Sequence, residues 1–67
     1  MTEKMIEVME KAVSSNMELI KLFNDVAKEC LDEGNVMVAS YYLGLAIDVG
    51  AAVEVIDNEL QKLKEGS

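Results

Sequence analysis

Residues 36–56 read VMVASYYLGLAIDVGAAVEVI, and this stretch decides the fold. Only Ser40, Asp48 and Glu54 interrupt its apolar character. A helix that is apolar on nearly every side has to be covered on nearly every side. The chain has 67 residues in all, too few to do that within one copy.

Downstream, the apolar spacing continues. Ala39, Tyr42, Ala46, Val49, Val53, Ile56, Leu60 and Leu63 alternate in threes and fours, the spacing of a helical seam. The spacing predicts a helix over about 36–64. Lys62 and Lys64 suit the negative end of its dipole, and Gly66-Ser67 is a loose end.

Upstream, Gly34-Asn35 is the clearest punctuation. Gly34 can adopt the left-handed conformation that closes one helix, and Asn35 can cap the next. Asp32 and Glu33 lie at the unfavourable end of the first helix dipole and favour fraying there. Before the turn, Ile6, Met9, Val13, Ile20, Phe23, Ala27 and Cys30 form a second seam, with Asn16 in its one polar slot. Met5, Ala12, Leu19 and Val26 make a parallel row beside it. Thr2 can cap this helix, predicted over about 3–33, and Glu7 and Lys11 have the spacing of a favourable ion pair. Ser15 to Glu18 resembles a capping box, which would restart the helix. The seam keeps its phase across Asn16, so a continuous helix is expected.

The fold class is therefore all-α: residues 1–67 form one antiparallel two-helix hairpin with its turn at 34–35. One hairpin uses up the two seams. Val38, Tyr41, Leu45, Ala52 and Val55 remain on one flank of the second helix, and Leu43, Ile47 and Ala51 on another. Such an exposed patch exceeds what soluble monomers usually show. Self-association is the expected remedy, as a dimeric four-helix bundle or a larger helical assembly. The expected oligomer interface is Tyr41, Tyr42, Leu45, Ala46, Val49, Ala52, Val53 and Ile56.

Composition narrows the function. At this length a folded chain hides only about 60% of its unfolded surface and needs help to be stable. One Cys gives no internal disulfide, and the absence of His disfavours structural zinc. Cys30 reads as a small buried hydrophobe in a reduced, cytoplasmic setting. The formal charge is −7, and none of the six cations is Arg. Direct binding to nucleic acid or to an anionic membrane surface is thus disfavoured. The apolar stretch is long enough to cross a bilayer. Asp48 and Glu54 would each cost roughly 3 kcal/mol there, and no basic flank sets an orientation, so no membrane association is expected.

Several residues invite a functional reading. Gly44 and Gly50 each cost about 1 kcal/mol inside a helix relative to Ala. With Ser40 and Ala51 they suggest close approach of neighbouring helices, or room for a small ligand between subunits. Asp48, among apolar neighbours, needs a rim position or a hydrogen-bond partner from another chain. Tyr41 and Tyr42 point about 100° apart and cannot both face one neighbour.

Glu7-x-x-Glu10 and Glu54-x-x-Asp57 each place two carboxylates on one helical face, with Glu10 and Asp57 roughly level across a hairpin. Four such acids can hold Mg²⁺. In these paired acids alone the chain resembles the all-α nucleotide pyrophosphohydrolases, which would imply a Mg²⁺-dependent phosphohydrolase site. The longer four-helix frame of that family is missing. No phosphate loop, nucleophile–base set or Glu-x-x-His is present, and no enzyme activity or cofactor is expected. The reading favoured by the sequence is a small acidic interaction protein that pairs with itself and with another protein, as an inhibitor or modulator. A small-ligand, nucleotide-like binder at subunit interfaces is the alternative.

Overall fold

The computed structural model describes residues 1–66 as two helices, α1 (Thr2–Asp32) and α2 (Val36–Gly66). They pack against each other as a hairpin. Its extents of 50 × 14 × 12 Å are those of two rods side by side, since 31 residues at 1.5 Å each make about 46 Å.

The turn is built by three residues. Gly34 has φ +81°, the left-handed conformation that favours glycine. Its N–H donates to the Leu31 carbonyl at 3.0 Å, and the Asn35 N–H donates to the Cys30 carbonyl at 2.7 Å. This double closure is the Schellman arrangement. Instead of fraying, α1 therefore stays helical through Asp32, with Glu33 as its C-cap. Asn35 then caps α2, its Oδ1 accepting from the Val38 N–H at 3.3 Å.

The α1 start differs from expectation. Met1 is the N-cap and offers no side-chain hydrogen bond, while Thr2 is already helical. The Met5 N–H reaches the Met1 carbonyl at 3.1 Å, so the first turn closes one residue before the threonine. The Ser15 capping box is not used either. α1 runs through it, and Asn16 Nδ2 donates to the Ala12 carbonyl at 2.7 Å. The half-buried amide is thus bonded within its own helix.

Every residue of the two seams is buried or half-buried. Yet among the described residues the buried set is only Ala27, Ala39, Ala46 and Leu60. Three of these four carry a single methyl group, so the core removes little apolar volume from water. Tyr42 tilts against Phe23 across the seam, with ring centroids 6.0 Å apart. The half-buried Cys30 thiol is free.

Candidate interaction surface

The sides of the hairpin follow from helix geometry. Seen from its own N-terminus, each helix carries a flanking row counter-clockwise of its seam. On α1 the row is Met5, Ala12, Leu19 and Val26, interleaved with Met1, Val8, Ser15 and Leu22. On α2 it is Val38, Tyr41, Leu45, Asp48, Ala52 and Val55. Both rows alternate in threes and fours. Because the helices are antiparallel and face each other, the same rotational sense brings both rows to one side. On the other side Lys64 Nζ and Glu10 Oε2 pair at 3.4 Å, beside a smaller exposed apolar set of Met17, Leu31, Val36 and Leu43.

The apolar side lies open. Among the described residues, fifteen large hydrophobic side chains are exposed, and nine of them belong to these two rows. Leu22 is 59% exposed and Tyr41 64%. Tyr41 stands edge-on against Tyr42, with centroids 5.5 Å apart and planes at 82°, so two rings that diverge by 100° still touch. Sequence reasoning missed that contact because it considered only where the Cβ atoms point. A depression of about 230 Å³, lined by Met1, Lys4, Met5, Val8 and Met9, lies at the open end of the α1 row. A second, of about 270 Å³, is lined by Glu18, Lys21 and Leu22. α2 has a further exposed ridge away from α1, where Met37 is 84% and Ile47 72% exposed.

The eight interface candidates divide. Tyr41 and Ala52 are exposed and Leu45 is half-buried, all on the flanking row. Tyr42, Val49, Val53 and Ile56 are half-buried in the seam, and Ala46 is buried there, so they offer only their edges to another chain. Ser40 and Ala51 are exposed on the outer ridge, and Gly44 and Gly50 are half-buried. A Cβ added to either glycine would meet nothing within 4 Å. Nothing in a single hairpin therefore requires glycine there, and nothing encloses a small ligand beside it. Asp48 is exposed, and no polar or charged residue is buried among those described.

The paired carboxylates do not converge. Among the described residues, no three Asp, Glu, Cys or His side chains are placed to share a metal ion. Glu7 and Glu54 are exposed, Asp57 is half-buried, and Glu10 is engaged by Lys64. The level placement expected for Glu10 and Asp57 does not gather the acids, because Glu7 and Glu54 lie more than 100° from their seams. The Glu7–Lys11 pair is not formed, whereas Glu59 and Lys62 pair at 3.4 Å.

By length and composition α2 is apolar enough to cross a membrane, with a mean hydropathy of 1.7 over its most apolar segment. No known family matches the sequence, and neither a curated protein nor a solved structure is significantly similar to it.

Proposed function

We propose that this chain is a non-catalytic protein-interaction module. It assembles with copies of itself into a helical bundle, a dimer of hairpins in the simplest case. The acidic side of α1 is then presented to another protein, which the module inhibits or modulates. The observation that carries this reading is the imbalance between four buried residues, three of them alanine, and fifteen exposed large hydrophobic side chains. A soluble hairpin with so small a core gains stability by covering that surface with a second copy. The acids Glu7, Glu18 and Asp25 point away from α2 and stay accessible in such a bundle. With Glu54 they offer a basic partner a negative surface, in a cytoplasmic setting.

Sedimentation equilibrium at micromolar concentration tests this. A species of twice the chain mass or more is expected, and a stable, fully helical monomer would sink the reading. The partner half of the proposal predicts that a basic protein retained on the immobilised chain elutes as salt rises.

A further inference from the structure

The two flanking rows do more than expose apolar surface; the central part of each is complementary to itself when reversed. In α1, reversal about Met17 sets Val8 opposite Val26, Ala12 opposite Leu22 and Ser15 opposite Leu19. The large side chains of one half thus meet small or medium ones of the other. In α2, reversal about Gly50 sets Leu45 opposite Val55 and Asp48 opposite Ala52, so the two carboxylates do not meet head-on. Each is the layer pattern of an antiparallel helix pair. The two centres also lie at about the same height. The Phe23–Tyr42 contact and the turn at Gly34 put Met17 level with the middle of α2. One two-fold axis can therefore pass through both.

The available face is of sufficient size. A side of 50 × 14 Å covers about 700 Å² in plan, close to the ~800 Å² per partner of a standard interface.

We infer that the occupant of this face is a second copy, related by a two-fold axis across the long dimension, with the turns at opposite ends. This rests on the self-association proposed above and specifies it. The interface is composite: α1 contributes as much as α2, and the Gly44–Ile47–Ala51 ridge stays outside it. Such an isologous contact closes on itself and stops at the dimer.

Cysteine cross-linking of the full chain tests the geometry in a Cys30→Ser background. Val8→Cys and Val26→Cys in one chain are about 27 Å apart along α1, too far to bridge within a copy. Mild oxidation should convert this variant to covalent dimers joined by two disulfides, with no longer chains of links. Circular dichroism of its reduced form verifies that the helices remain. Leu22→Glu should shift the sedimenting mass towards the monomer, while Ile47→Glu should leave the dimer intact. If the wild-type chain sediments as a dimer but Val8/Val26 does not cross-link, or Ile47→Glu alone dissociates it, this arrangement is overturned and self-association stands. A wild-type monomer overturns both. So does a monomer that floats with neutral phosphatidylcholine vesicles, which would assign the face to lipid.

Discussion

Gly34 is the residue on which the chain reversal depends. Its φ of +81° costs an L side chain about 1–2 kcal/mol. A Cβ there would touch nothing within 4 Å, so the cost is conformational and not steric. Gly34→Ala should therefore lower the unfolding free energy by about 1–2 kcal/mol without altering helix content, as read by urea titration followed by circular dichroism. Gly44 and Gly50 behave oppositely. Both are helical with open space around them, so Gly44→Ala and Gly50→Ala should each stabilise the hairpin by about 1 kcal/mol. If they also leave the sedimenting mass unchanged, the glycines are not contact points between copies. A loss of mass would instead place a neighbouring helix against them. The turn was legible in the sequence because glycine followed by asparagine has few other uses at that position. The environment of the internal glycines was not, since small residues look alike whether another helix or only solvent lies beside them.

The elements follow from spacing. Both seams are buried or half-buried at every position, because a three-four alternation leaves one stripe per helix and only the partner helix can cover it. Asn16 is the one polar residue of the α1 seam. Its amide bonds the Ala12 carbonyl of its own helix, so it does not lock the register of α1 against α2. Asn16→Leu should accordingly raise the thermal midpoint by several degrees without changing the mass of the assembly. A change in mass would show that the asparagine sets the oligomeric state. The failure of Thr2 as a cap also belongs to this scale. Helix boundaries shift by a residue when the next backbone hydrogen bond is available, and here the Met5 N–H found the Met1 carbonyl. The carboxylate pairs were visible as i, i+3 acids, but the rotation of each pair relative to its seam was decisive and dispersed them.

At the scale of the whole molecule, the balance lies between apolar attraction and a formal charge of −7 per copy. Like-charged copies repel, and salt screens that repulsion within about 10 Å at 0.1 M. Raising NaCl from about 0.05 M to about 0.5 M should tighten self-association several-fold, measured by sedimentation velocity across a dilution series. A complex with a basic partner should weaken over the same range. The opposite signs separate the two contacts in one experiment. The amino-acid order by itself determined two amphipathic helices, the turn between them and the excess of apolar surface, because these depend on periodicity and on one glycine. Only the tertiary structure decided that Glu10 pairs with Lys64 and that the four acids do not gather. That outcome depends on the antiparallel rotation of one helix about the other, a relation between residues far apart in the chain that local spacing does not express.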